Sequence, residues 1–272
     1  MKTHPYIFVI VCSLAYTLLT ALLNRILEGQ TGGINGFYLS KTLVTMLPIA
    51  LMALPAFYLG LVGKGDFGTK HLAKGLLMGL PLLLLFFVLY DVGTLVAGGS
   101  WRGQATPLTL ALLVLFQLTV AFSEELLCRG ILFNALRDKH GESGRGLLAA
   151  VCLSSFIFGV MHFIGMMNGA PFMATLSQVL AAFFIGIFFC ALYVRTGSLL
   201  APIIVHALFN CFHGLKDVLY IEAAAPADTV TASVSMMDYF VIPLITLFFA
   251  LYGLFLMRKG GGQHENQTQH QT

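Results

Sequence analysis

The sequence predicts an all-α fold: a polytopic integral membrane bundle of about eight transmembrane helices. Three observations predict it. First, 58% of the 272 residues are hydrophobic and only 10% are charged. Soluble domains carry roughly 25% charged residues, so this chain has too little polar surface to cover a water-exposed fold. Second, apolar runs of about 20 residues, the length a helix needs to cross the hydrocarbon core, recur along the chain. Third, the few ionisable residues inside those runs are grouped rather than scattered. The net charge of +3 is small and spread over loops. Nucleic-acid binding, which needs clustered basic residues, is excluded as an expectation.

The runs fall at 6–23, 40–62, 73–97, 106–137, 146–166, 172–195, 198–214 and 237–257. The first follows Lys2 and could be read as a signal peptide. It is longer than a signal h-region and no small-residue cleavage site follows, so it reads as the first transmembrane helix. Gly/Pro-rich or charged stretches separate most of the others: Gly29 to Gly36, Gly63 to Lys70, Lys139 to Arg145, and Ala223 to Ser235. The seventh run is short, and Gly197 alone divides it from the sixth. Residues 1–259 are expected to form one transmembrane helical domain. The Gly/Gln/His-rich tail 260–272 is expected to be disordered. Gly75 and Gly79 form a GxxxG pattern, a device that brings helices close but is common by chance.

Lys and Arg are more numerous in cytoplasmic loops. With eight spans the termini share a side. That side carries ten Lys and Arg against four on the other, Arg129 being left out as intramembrane. Both termini are therefore expected in the cytoplasm. Cys12, Cys128, Cys152, Cys190 and Cys211 all lie in apolar runs without CxxC spacing. They read as small core residues rather than a disulfide framework or a zinc site.

The fourth run contains Glu124, Glu125 and Arg129. A charge at the bilayer centre costs at least about 2.5–3.5 kcal/mol on insertion scales, so three together need a reason. Glu125 and Arg129, spaced i, i+4, share a helix face and can pair. Glu124 lies about 100° round the helix and is left free for chemistry. The fifth run contains Phe158 and His162, again i, i+4. Ser154 and Ser155 are too far along that helix to bond His162 and read as packing serines. The seventh run contains His206 and Asn210 on one face, with His213 a turn later.

Intramembrane ionisable groups face the bundle interior or a wet cavity. A carboxylate, two imidazoles and an amide meeting there match the parts of a hydrolase. Glu124 can serve as general base on a water, oriented by one imidazole. The other imidazole and Asn210 can stabilise a tetrahedral oxyanion. Equally, Glu124, His162 and His206 match a two-His, one-carboxylate zinc shell with an open position. The residues alone leave both arrangements open.

EELLCR at Glu124–Arg129, FGVMH at Phe158–His162 and HALFN at His206–Asn210 resemble the EExxxR, FxxxH and HxxxN motifs of the CPBP intramembrane proteases. That family includes the type II CAAX prenyl endopeptidases and bacteriocin-processing or self-immunity proteins. The segment from Tyr193 to Asn210 also has the look of bacterial members. The resemblance implies a multi-helix fold with a protease-like core over about 106–214. Its site opens to the membrane or cytoplasm. By carry-over, Glu124 activates water with His162, His206 and Asn210 form the oxyanion site, and Glu125 and Arg129 support them. The family has been described as both metalloendopeptidase and glutamate-type, so zinc stays open.

The expected activity is hydrolysis of a peptide bond in a membrane-associated peptide or protein, in the lipid bilayer of a bacterial cytoplasmic membrane. Two readings from other classes compete with it. One is a proton-coupled transporter, since buried Glu and His also build proton relays. The other is a non-catalytic immunity or scaffold protein. A difficulty also stands: His162 lies roughly 26 Å along its helix from Arg145, and His206 only about 12 Å past Ser198. The helices must be staggered, or extend past the bilayer, for these groups to meet.

Overall fold

A computed structural model describes residues 5–27, 32–167, 169–221 and 238–268. The connection expected at Ala223 to Ser235 lies outside them, as do 28–31 and the last residues, 269–272. Each of the eight apolar runs is helical. The helices are α1 (Pro5–Leu27), α2 (Gly33–Tyr58), α3 (Leu72–Leu89), α4 (Val92–Gly98), α5 (Pro107–Glu125), α6 (Asn134–His140), α7 (Gly144–Met161), α8 (Ile164–Met167), α9 (Phe172–Thr196), α10 (Leu200–Val218) and α11 (Asp238–Thr268). A 3-10 turn spans Lys64–Phe67. The one sheet among the described residues pairs β1 (Ser100–Trp101) with β2 (Leu219–Tyr220), antiparallel.

Among the described residues seven helices are long and apolar enough to cross a membrane. The one of the eight expected spans that falls short is α10. Its 19 residues reach about 28 Å at 1.5 Å per residue. However, His206, Asn210, His213, Lys216 and Asp217 lower its hydrophobicity. Such a helix is stable in a bilayer when its polar face is covered, and α10 buries Ala201, Pro202, Ile203, Val205, His206 and Ala207 against its neighbours.

Three runs differ in detail from the sequence expectation. The 73–97 run is two helices, because Asp91 adopts φ +52° between α3 and α4. Asp tolerates the left-handed region better than most residues, and its Oδ1 accepts a bond from Thr94 Oγ1 at 2.7 Å. The helix of the 237–257 run continues to Thr268. The 106–137 run forms one 34-residue span, Pro107–His140, but its middle, Leu126–Phe133, is π-helical. Wide turns of this kind occur mostly inside α-helices, and frequently at functional sites. Here every residue from Glu125 to Leu136 is buried, so the wide segment is the axis around which the bundle packs. Phe86, Leu132, Phe133, Phe188 and Phe189, all fully buried, belong to the main core around it.

The GxxxG pattern is a contact between helices. A Cβ added at Gly75 would collide with Ala201 Cβ, and one added at Gly79 with Val205 Cγ2. Both glycines therefore hold α3 against the first turns of α10, one residue from His206. Gly79→Ala should destabilise the protein by about 1–3 kcal/mol through overpacking, read as a lower midpoint in detergent unfolding.

Candidate active site

Four of the six expected residues are in direct contact, and α5, the π segment and α10 bring them together. Glu125, the last residue of α5, and Arg129, inside the π segment, form a fully buried ion pair at 3.0 Å between Oε1 and Nη1. The same Oε1 accepts a second bond, at 2.9 Å, from His206 Nδ1 on α10. His206 Nε2 faces Glu124 Oε2 at 3.6 Å. The groups run Arg129, Glu125, His206, Glu124 in order. Glu124 is the member open to the surroundings, with its side chain 20% exposed, while the His206 side chain is 6% exposed. Glu125 thus does more than neutralise Arg129: it orients the imidazole that stands beside Glu124.

The arginine is held from α9 as well. Its Nη2 donates to the Gly186 carbonyl at 2.9 Å, and its guanidinium lies over Phe158 at 4.9 Å and Phe189 at 5.5 Å. Gly186 has to be small, since an added Cβ would stand 3.3 Å from Arg129 Nη2 and 3.1 Å from Ser155 Cβ. Phe189 also stacks on His206, with ring centroids 4.9 Å apart and planes inclined by 24°. Sequence reasoning missed Gly186 and Phe189, since a Gly and a Phe in an apolar run signal nothing until the facing helix is known. Phe189→Leu removes the stack and should cost about 0.5–1.5 kcal/mol beyond lost area. Detergent unfolding would measure it, and His206 should become easier to alkylate.

His162 enters the site through Phe158. It lies just past the end of α7, whereas His206 is in the second turn of α10. His162 Nδ1 donates to the Phe158 carbonyl at 2.8 Å. A carbonyl can only accept, so in the neutral ring Nε2 carries the free lone pair. Phe158 meets both imidazoles edge-on, His162 at 5.0 Å and His206 at 6.3 Å between centroids. The first residue of FGVMH is therefore the wall shared by Arg129, His162 and His206. Asn210 follows His206 by one turn and is half-buried; among the described residues its amide has no hydrogen-bond partner. His213 packs edge-on against Tyr90 at 5.2 Å, towards the other end of α10.

From α1, Tyr16 approaches Glu124's neighbour. Ser123 Oγ donates to the Val120 carbonyl at 2.9 Å, so the 2.9 Å contact between Tyr16 and Ser123 is donated by the tyrosine. Tyr16 also lines an apolar cavity of about 220 Å³ between α1, α2 and Ile131. Ser154 and Ser155 are buried on α7 and face Cys190 Sγ at 3.6 and 3.9 Å, a packing contact with α9. All five cysteines are free thiols.

Among the described residues no three His, Cys, Asp or Glu side chains are grouped to hold a metal ion. The zinc shell of Glu124, His162 and His206 is thus not assembled. Both imidazoles are fixed through Nδ1, His206 on Glu125 and His162 on the Phe158 carbonyl, which leaves Nε2 of each ring as the nitrogen a metal would use.

Fold and site together define a polytopic membrane protein built round a buried Glu–Arg–His cluster. Residues 106–212 match the family model described as Type II CAAX prenyl endopeptidase Rce1-like. That stretch contains all three motifs, and over it the resemblance to the CPBP intramembrane proteases holds. No curated protein matches the chain.

Proposed function

We propose that this protein is an intramembrane endopeptidase that hydrolyses a peptide bond of a membrane-associated substrate with a water activated by Glu124. One observation carries the reading: the half-open carboxylate of Glu124 stands 3.6 Å from an imidazole whose far nitrogen is fixed by a buried, arginine-paired carboxylate. Glu124 takes a proton from water, and the hydroxide attacks the scissile carbonyl. His162 Nε2 accepts the water's second hydrogen and orients it. The oxyanion receives hydrogen bonds from His206 Nε2–H and the Asn210 amide. With Nδ1–H committed to Glu125, that donor is the imidazolium; Arg129 already matches the one charge of Glu125, so the developing oxyanion balances the imidazolium. Glu124 then returns the proton to the leaving amine.

The test uses full-length protein in proteoliposomes with two peptides of one C-terminal sequence, one isoprenylated and one acylated. Mass spectrometry reads the released fragment, with and without a chelator followed by zinc. Cleavage of either peptide supports the reading, and preference for one names the anchor. Loss on chelation with recovery on zinc would bring a metal into the mechanism. Failure to cleave any anchored peptide sinks the proposal. The same relay of titratable groups is what a proton-coupled transporter would need. Proton flux from these vesicles without cleavage would favour that second reading.

A further inference from the structure

A second polar cluster lies away from the site, where the 3-10 turn, the end of the π segment, α9 and the start of α10 meet. Asp66, in the turn, accepts a short hydrogen bond from the Tyr193 hydroxyl, and its other carboxylate oxygen caps Gly63 N at 2.8 Å. The Asp66 carbonyl accepts the Leu199 amide at 2.6 Å, immediately before α10 begins. Asn134 Nδ2 reaches the carbonyls of Leu61 at 2.7 Å and Gly130 at 3.0 Å, and the Tyr193 oxygen at 3.1 Å. Asn134 and Tyr193 are 3% and 4% exposed.

Each arm of this cluster ends on an element that carries part of the candidate site. Gly130, bonded by Asn134, directly follows Arg129. Tyr193 is one turn beyond Phe189, which stacks on His206. Leu199 is seven residues before His206, about 10 Å along the helix. Within a bilayer there is no hydrophobic force between helices, so apolar packing alone fixes depth and rotation weakly. Directional hydrogen bonds fix both. Asp66, which bonds Tyr193 and Leu199 directly and Asn134 through Tyr193, lies outside the 106–212 match, on the turn between α2 and α3.

We propose that Asp66, Tyr193 and Asn134 form a positioning latch that sets the depth and rotation of the π segment and α10, and so aligns His206 between Glu125 and Glu124. None of the three touches the reacting atoms. The kinetic consequence rests on the hydrolase reading above, whereas the structural consequence does not.

The experiment compares wild-type protein, Tyr193→Phe, Asp66→Asn and a control, Thr246→Val, in lipid nanodiscs. Tyr193→Phe keeps the ring against Phe133, 5.9 Å away edge-on, and deletes the hydroxyl. Thr246, buried on α11, bonds only within its own helix. With ¹⁵N-labelled histidine, assigned by His206→Gln, NMR reads the His206 ring nitrogens, and cleavage of the anchored peptide reads kcat and KM. Both latch variants should move the His206 Nδ1 resonance. They should also lower kcat by roughly tenfold or more, as small misplacements of catalytic groups do, with KM changed less than about twofold. Thr246→Val should leave the His206 signals in place. If the latch variants lower the melting temperature but leave the His206 resonances and kcat at wild-type values, the cluster is merely structural and the proposal fails. Should one variant not fold, the other decides. If wild-type protein cleaves nothing, the hydrolase reading falls while the NMR comparison still judges the latch.

Discussion

Glu124→Gln should lower kcat by about 10²–10⁴-fold, the range a general base contributes, while leaving unfolding in detergent at the wild-type midpoint. The amide has the same shape and can still accept from His206, but it cannot take a proton from water. The fold depends little on this carboxylate, since its side chain is 20% exposed and its nearest ionisable partner is 3.6 Å away. Peptide affinity should be unchanged. A variant that retained full turnover would remove Glu124 from the mechanism. One that lost turnover and melted early would show that the residue had been misread as free.

Arg129→Met should produce the largest loss of stability of any single substitution in the site, about 3–5 kcal/mol. It strands Glu125 as a buried carboxylate with only His206 to answer it. The arginine also fills space between Phe158 and Phe189, which methionine replaces only in part. The informative comparison is the double variant Glu125→Leu/Arg129→Met. Removing both charges should recover most of the lost stability, since buried ion pairs replaced by apolar residues are often neutral or better. It should not recover activity, because His206 Nδ1 loses its acceptor. Chemical unfolding in detergent measures the first effect and peptide cleavage the second. If the double variant is as unstable as the single one, the pair is not coupled as described.

The helices and the clustered residues Glu124, Glu125, Arg129 and His206 were legible because both announce themselves in a membrane sequence. An apolar run of the right length has few alternatives, and a charge within it demands an explanation. The pairing of Glu125 with Arg129 followed from helical spacing alone. Its second partner did not, because nothing in a sequence says that α10 delivers His206 to the same carboxylate oxygen. The break at Asp91 was hidden for a different reason: one left-handed residue ends a helix without interrupting the apolar run. Gly75 and Gly79 were visible as a pattern but acquired meaning only when Ala201 and Val205 stood opposite. The deficit in α10's hydrophobicity was written in the residues themselves, since two of the side chains that weaken it as a span, His206 and Asn210, belong to the candidate site.

The π-helical stretch has a consequence for how the gene can change. Removing one residue between Leu126 and Phe133 would let the wide turns relax towards ordinary helix, which has a different turn and rise per residue, and so would change the rotation and depth of everything from Asn134 onward. Asn134 would swing away from Tyr193, and α6 would present a different face to α7. Yet leucine, isoleucine and phenylalanine make up most of that stretch, and each exchanges readily for another apolar residue. In this segment the number of residues is more tightly constrained than their identity. Single-codon deletions there should be lost from a mutant library that tolerates most apolar exchanges at the same positions, with Arg129 and Gly130 the exceptions.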